Sequence, residues 1–420
     1  MKEMLSSAAK RLFLSTLEGL DSGSLELVLP DRTQRFGDAS AELRARLVVD
    51  RERFFTRALT GGDTGIGEAY VDGDWSSPDL VSLMRLAVRN LAKLEEKNAF
   101  FSSLSRFADR VRQRLRKNTV EGSRRNIQAH YDLSNEFFRL FLDQNLVYSC
   151  AWYERPEDSL ETAQIQKLDR ICRKLDLQPR DRVLEIGTGW GAFALHVARN
   201  YGCQVTTTTI SQQQYKYARE RFDAADPHPR IELLLEDYRQ LSGRFDKIVG
   251  IEMFEAVGFE HYDEFFRTCD RLLEPDGSML LQTITMNEQK FPRYRKQSDW
   301  IQKYIFPGAQ LASLRGILDS LARATRLSPF HAEDMGVHYA RTLAAWRERF
   351  HDSIGEVKAL GFDDRFVRMW DYYLAFCEGA FRERHISDFQ LLLTKNYNPR
   401  PLFQQPWRLT QEPNRQEVLV

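Results

Sequence analysis

Residues 183–191 read Val183-Leu184-Glu185-Ile186-Gly187-Thr188-Gly189-Trp190-Gly191. The first four predict a buried strand, the three alternate glycines a sharp turn, and the run GAFALHVARNYG that follows a helix ending at glycine. Glycines at such a turn let a ligand approach the backbone closely, and a helix N-terminus attracts negative charge. On its own the pattern is a weak signal, because a tight turn without a ligand looks the same. A nicotinamide site is the rival reading. Against it, the spacing is GxGxG and not GxGxxG, and the next strand, CQVTTTTI, ends without an acid to anchor a ribose.

Outward from this turn, strands alternate with helices. QKLDRICRKLDL predicts an amphipathic helix ahead of the strand. Beyond CQVTTTTI come SQQQYKYARERF as a serine-capped helix and IELLLEDY and FDKIVGIEMF as strands. EHYDEFFRTCDRLLEPDG reads as a helix with its stop, and SMLLQTIT as a strand. The alternation indicates an α/β fold with a doubly wound, mostly parallel Rossmann-like sheet. The RLLEPDG stop before SMLLQTIT is an arrangement typical of S-adenosylmethionine-dependent methyltransferases. Residues 1–90 read differently. SLELVLP and RARLVVD alternate like half-buried strands, GGDTGIGEAYVDGDW reads as a turn punctuated by Gly61, Gly62, Gly65 and Gly67, and LVSLMRLAVRNLAKLEEKNAF is helical. The expected organisation is a smaller N-terminal α+β domain over 1–90, associated with lipid, a basic helical linker over 91–125, and a methyltransferase domain over 126–420.

Composition narrows the function. At 420 residues, 42% hydrophobic and 29% charged, the chain is globular and long enough for two or three domains. Sixty basic residues balance sixty acidic ones, so no global field recruits nucleic acid. No apolar run approaches the roughly 20 residues that span a bilayer. The opening MKEMLSSAAKRLFLSTLEGL carries Lys2, Glu3, Lys10 and Arg11 and lacks the apolar core of a secretion signal. Cys150, Cys172, Cys203, Cys269 and Cys377 are scattered and never form CxxC, which reads as reduced thiols in a cytoplasmic chain with no metal site and no disulfide frame.

Two stretches suit a lipid surface. Between Arg106 and Arg125 eight basic residues stand against Asp109 and Glu121. Such a run is either a solvated linker helix or a contact with anionic headgroups, each basic residue then contributing about 1 kcal/mol. The segment 286–308 interleaves Lys290, Arg293, Arg295, Lys296 and Lys303 with Phe291, Tyr294, Trp300 and Phe306. It is either an insertion packed on the sheet edge or, as we favour from sequence, a set of rings and cations at headgroup depth.

Several motifs together resemble one family, the cyclopropane-fatty-acid synthases and their mycolic-acid-modifying relatives, over nearly the whole chain. They are GIGEAYVDGDW (65–75), AHYDLSNEFF (129–138), LVYSCAWY (146–153), TTTISQQQ (207–214), EDYR (236–239), EMFEAVG (252–258), KYIFPG (303–308) and YYLAFCEGAFR (372–382), in family order. The resemblance implies that S-adenosylmethionine is the cofactor. It implies that Tyr148 and Ser149 flank its methionyl part, that Gly187, Gly189 and Gly191 form its backbone loop, and that Asp237 and Tyr238 lie beside adenine. Thr209 and Gln214 would take the ribose role, since hydroxyl and amide groups bond a ribose without adding charge near a sulfonium. Thr188 stands where the family usually has cysteine. His130 is either a helix-start histidine or a group near the pocket.

The resemblance also implies the chemistry: methyl transfer to the cis double bond of unsaturated acyl chains in membrane phospholipids, then deprotonation and closure to a cyclopropane. The base is expected to be bicarbonate held by Cys150, Glu255, the Ile284 backbone and Tyr339. Gln282 and Ala256 replace two family histidines, and an amide carries neither proton nor positive charge. Methyl transfer without closure, giving methylene- or methyl-branched chains, is therefore the alternative. Cys377 matches a family cysteine often labelled active, but no covalent step needs it, so it is expected to shape the pocket. The expected partner is the anionic surface of a phospholipid bilayer, with the protein cytoplasmic and peripheral to the inner face of the membrane. A homodimer is left open. A methyltransferase for a small soluble acceptor fits the N-terminal domain poorly. A lipid-binding protein with a vestigial cofactor fold does not account for the glycine loop with Tyr148, Glu255 and Tyr339.

Overall fold

The structure is a computed structural model that describes residues 2–91, 93–94, 133–225, 230–296 and 299–399. The basic stretch 106–125, most of the expected linker and His130 lie outside the described residues.

The N-terminal part begins with α1 (Lys2–Leu17), then β1 (Ser24–Val28), β2 (Thr33–Gly37), β3 (Arg44–Val49), α2 (Arg53–Val71), β4 (Trp75–Ser76) and α3 (Leu80–Arg89). Its four strands lie in the order β2-β1-β3-β4. Alternation in β3 sends Ala45, Leu47 and Val49 inward while Arg44 and Arg46 face solvent. The stretch expected to be a glycine-rich turn is instead mostly helix. Inside α2, which runs to Val71, only Gly62 leaves helical geometry, at φ 56°. Gly65 and Gly67 mark close approach: an added Cβ would stand 2.1 Å from the Arg57 carbonyl oxygen and 2.5 Å from the Trp300 ring.

The second part runs through α4 (Asn135–Arg139), α5 (Leu160–Lys174), β5 (Arg182–Ile186), α6 (Ala192–Asn200), β6 (Gln204–Thr208), α7 (Gln212–Ala225), β7 (Ile231–Leu234) and β8 (Phe245–Ile251). It continues with α8 (Tyr262–Leu272), β9 (Leu273–Met286), α9 (Phe291–Tyr294), α10 (Trp300–Tyr304), α11 (Leu314–Ala324), β10 (Leu327–Asp334), α12 (Gly336–Asp352), α13 (Ile354–Ala359), α14 (Asp364–Arg382) and β11 (Ile386–Lys395). The seven-stranded sheet has the order β10-β11-β9-β8-β5-β6-β7. β7, β6, β5, β8 and β9 pair in parallel, and β11 and β10 add antiparallel strands at one edge. Helix α8 ends at Leu272, earlier than the sequence suggests, because Pro275 disfavours helix at Glu274 and the chain enters β9 there.

Strand order reverses on either side of β5, and the crevice for a ligand in such a sheet opens at the carboxyl ends of the strands there. Helix α14 joins the two parts. Tyr70 donates to Asp371 at 2.7 Å, Arg368 donates to the Tyr70 carbonyl at 2.6 Å, and Arg85 and Arg89 both reach Glu383 at 2.6 Å. The rings of 286–308 take part in this packing. Trp300 is 1% exposed and meets Tyr372 edge-on at 4.7 Å, and Phe291 is buried. These two rings fill the interior, so they are not a headgroup-facing pair as the sequence suggested. Among the described residues no helix is long and apolar enough to cross a membrane.

Candidate active site

Strand β5 delivers the chain into the glycine loop, and the Gly187 and Thr188 amides both donate to the Thr208 carbonyl at 3.0 Å, which pins the loop to β6. Gly189 has φ 52°, and a Cβ there would meet no atom of the described residues within 4 Å; it would point into the cavity. Gly191 serves another purpose. Its Cβ would lie 2.6 Å from the Phe222 ring, and the residue is not on the cavity wall, so packing and not a ligand requires this glycine. Thr188 Oγ1 bonds Thr207 Oγ1 at 2.7 Å, and Thr207 bonds Glu185 at 2.6 Å. Burial pushes the Glu185 carboxyl up to about 8.

The other expected cofactor groups gather around this loop. Thr209 donates to Gln214 Oε1 at 2.9 Å, and both line the cavity. Asp237 and Tyr238 line it too, with Arg239 held bidentate against Asp237 at 2.8 and 2.9 Å. Tyr148 shares a hydroxyl contact of 2.9 Å with Tyr373, and Ser149 accepts from the buried Lys167 at 2.8 Å. Open space beside Gly189, ringed by hydroxyl, amide and carboxylate groups, fits a nucleoside with a cationic methionyl arm.

The polar centre beyond the loop departs from expectation. The Cys150 amide and the Gln282 side-chain amide donate to Glu252 Oε1 at 2.7 and 2.8 Å, and the Tyr339 hydroxyl donates to Glu252 Oε2 at 2.6 Å. These donors were expected to face bicarbonate; a carboxylate of the chain itself takes them. Ile284 likewise gives its amide to Glu255 Oε1 at 2.6 Å, and Thr283 adds a hydroxyl at 3.0 Å. Glu255 Oε2 is buried with no hydrogen-bond partner among the described residues. Gln282 bridges Glu252 to Asp388 at 2.9 Å and accepts from Gln390 at 3.1 Å.

Three carboxyls thus share one buried site, where like charges raise one another. Burial, then the charge of Glu252, lifts Glu255 to about 7. Burial, then Glu252 and Glu255, pushes Asp388 far above the carboxylate range. Burial also raises Glu252, against hydrogen bonds from Tyr339 and Cys150 and the charge of Lys167. The backbone shows its own strain: Glu252 sits at φ 47°, a left-handed conformation uncommon for a residue with a side chain.

One cavity of about 990 Å³ connects these groups. Glu252, Glu255, Ile284, Tyr339 and Cys377 line it, whereas Cys150 and Gln282 stand behind the wall and act through their N–H groups. Cys150 is fully buried, and burial keeps its thiol protonated. Burial does the same to Cys377, so neither is poised as a nucleophile. All five cysteines are free. Tyr148, Phe306 and Tyr373 cluster, with Tyr148–Phe306 and Phe306–Tyr373 centroids 6.2 and 5.8 Å apart. Sequence reasoning missed Glu252, Asp388 and Lys167. Glu252 carried the same signal as Glu255, a carboxylate just past a strand end, three residues earlier.

The parallel sheet, the open glycine loop and its polar ring define an S-adenosylmethionine-dependent methyltransferase. The model of the family described as mycolic acid cyclopropane synthetase matches residues 118–391, and the chain belongs to that family. It is 38% identical over 361 residues to cyclopropane-fatty-acyl-phospholipid synthase of Escherichia coli (strain K12), covering 86% of this chain and 89% of that protein. It is 35% identical over 384 residues to tuberculostearic acid methyltransferase UfaA1 of Mycobacterium tuberculosis, covering 89% and 88%. The crystal structure of mycolic acid cyclopropane synthase CmaA1 complexed with SAH and CTAB matches with TM-score 0.61 and 35% identity, over 65% of this chain and 98% of that one. The chain is a methyltransferase of lipid acyl chains.

Proposed function

We propose that this enzyme methylates the cis double bond of unsaturated acyl chains in phospholipids, and that Glu252, in place of bound bicarbonate, removes the proton that completes the reaction. The observation that carries this is the convergence of Cys150 N–H, Gln282 and Tyr339 on the Glu252 carboxylate. When bound, S-adenosylmethionine supplies an electrophilic methyl group. Gly187, Gly189, Thr209, Gln214, Asp237, Tyr238, Tyr148 and Ser149 are the residues that would hold it.

An alkene is a weak, neutral nucleophile, so the protein's part is to orient it and keep water out. Once methylated, the acyl chain carries a cation at the neighbouring carbon. The rings of Tyr148, Phe306 and Tyr373 stabilise such a charge by roughly 0.5–2 kcal/mol each. Glu252 then takes a proton from the new methyl group, and the released C–H electron pair closes the ring onto the cation. Tyr339 and the Cys150 amide fix the carboxylate. Glu252 occupies the donors assigned to bicarbonate, so it addresses the same proton, and a cyclopropane is the product this geometry favours.

A second reading has its own support. The similarity to a tuberculostearic acid methyltransferase, together with Gln282 in place of histidine, favours hydride migration before proton loss and an exocyclic methylene product. The phospholipid acceptor is supported by the name of the Escherichia coli relative, and its presentation on an anionic membrane surface by the basic stretch 106–125. Proton NMR of lipid recovered after incubating the enzyme with S-adenosylmethionine and cis-monounsaturated phospholipid vesicles tests the proposal. Upfield ring protons support closure and olefinic methylene signals the second reading. Unmodified lipid sinks both.

A further inference from the structure

The cavity of the active site does not end there. It passes helix α14 at Tyr372, Phe376, Cys377 and Ala380 and continues into the N-terminal part, where Leu25, Leu47, Phe54 and Leu86 line it. These four side chains are only 1–5% exposed. The described residues leave space beside them unfilled. Interiors are normally close-packed, and an apolar void forfeits contacts on every wall. Of the lining residues contributed by α1, β1 and β3, only Thr16 is polar, and its hydroxyl already donates to the Leu12 carbonyl at 2.9 Å. Water finds too few partners on such walls, whereas hydrocarbon fits them.

Two sets of charged groups on the same cavity bear on a lipid head. Lys290 caps the start of α9 and the exposed Arg293 belongs to it, whereas Asp63 and Asp299 lie where α2 faces the catalytic part. An anionic lipid head is attracted at the first place and repelled at the second. The N-terminal part is also fastened in position, by Tyr70 on Asp371 and by Arg85 and Arg89 on Glu383. Its distance from the reacting centre is fixed.

We propose, resting on the acyl-chain reading above, that the methyl-terminal segment of the substrate chain passes α14 into the interior of the N-terminal part. The anionic head stays at Lys290 and Arg293. The N-terminal part is then a gauge: it sets the number of carbons between the double bond and the chain terminus that the enzyme accepts.

The test uses the full-length protein and vesicles of cis-monounsaturated phosphatidylglycerol in two series. One series varies the tail beyond the double bond, and the other varies only the carboxyl side. Wild type should discriminate in the first series and tolerate the second. Leu47→Phe should move the preferred tail to shorter lengths and Leu47→Ala to longer ones. Ratios of kcat/KM between neighbouring tails should change about tenfold or more, the discrimination a methylene provides in an apolar pocket. Calorimetric affinity for S-adenosylmethionine should not move in either variant, which also reports an intact fold. The same preferred tail in all three proteins, or discrimination confined to the second series, overturns the gauge. No conversion of any lipid by wild type instead overturns the acyl-chain reading, and the gauge with it.

Discussion

Glu252→Gln removes one buried charge and keeps the side chain's volume. In the wild type, Oε1 accepts from the Cys150 amide at 2.7 Å and from Gln282 at 2.8 Å, and Oε2 accepts from Tyr339 at 2.6 Å. The amide oxygen of glutamine keeps the first two bonds. Its NH₂ group meets Tyr339, whose hydroxyl can rotate to accept. At most one hydrogen bond is weakened, about 1 kcal/mol. Against that, Glu255 and Asp388 lose the negative neighbour that raises both. Stability should therefore stay close to wild type. Turnover should not. Removing a positioned base costs about 10²–10⁴ in rate, or roughly 3–5 kcal/mol of barrier. The assay follows methylated lipid by mass spectrometry, with cofactor affinity from calorimetry on the same preparation. Turnover within about threefold of wild type would show that Glu252 is not the base.

Three further outcomes follow from the geometry. Gly189→Val should abolish S-adenosylmethionine binding in calorimetry while the protein stays folded, because the added side chain meets only cavity and the left-handed φ costs about 1–2 kcal/mol; unchanged affinity would remove the loop from the site. Glu255 is raised to about 7 from an unfolded value near 4.5, so its proton stabilises the fold fully below pH 4.5 and that contribution is lost as pH rises to 7. Denaturation of wild type against Glu255→Gln should show this difference, about 3 kcal/mol across the window; parallel pH curves would contradict the buried, proton-holding state. Cys377→Ala should lower turnover less than about tenfold, since burial holds its thiol protonated, whereas a loss of a thousandfold would give the thiol a chemical role.

The sheet was legible because β5, β6, β7 and β8 are short β-prone or apolar runs and β9 carries one in SMLLQTIT, and the order of the motifs carried the family. The glycine-rich stretch at 61–75 misled for a definite reason. Glycine marks both turns and sites of close packing, and only the partner, Trp300 against Gly67, separates the two. Phe291 and Trp300 misled similarly, because rings among cations look alike whether they face lipid or the protein's own interior. Motifs singled out Tyr148, Glu255 and Tyr339 in the sequence, and in the structure all three line one cavity. Glu252 and Asp388 reach the same centre from β8 and β11, more than 130 residues apart, and no local pattern links them. What bound to the Cys150 amide could only be learned in three dimensions.

The central claim is that the base is built into the chain, and the dependence of turnover on bicarbonate tests it most directly. Wild-type enzyme should methylate and finish its product at the same rate in carbon-dioxide-depleted buffer and in buffer with added bicarbonate. Glu252→Gly should relax the backbone at φ 47°, which glycine adopts freely, and leave the Cys150, Gln282 and Tyr339 donors facing an open site. Its turnover should be low in depleted buffer and rise as bicarbonate is added. A wild type that stops when bicarbonate is removed and restarts when it is restored would contradict the account.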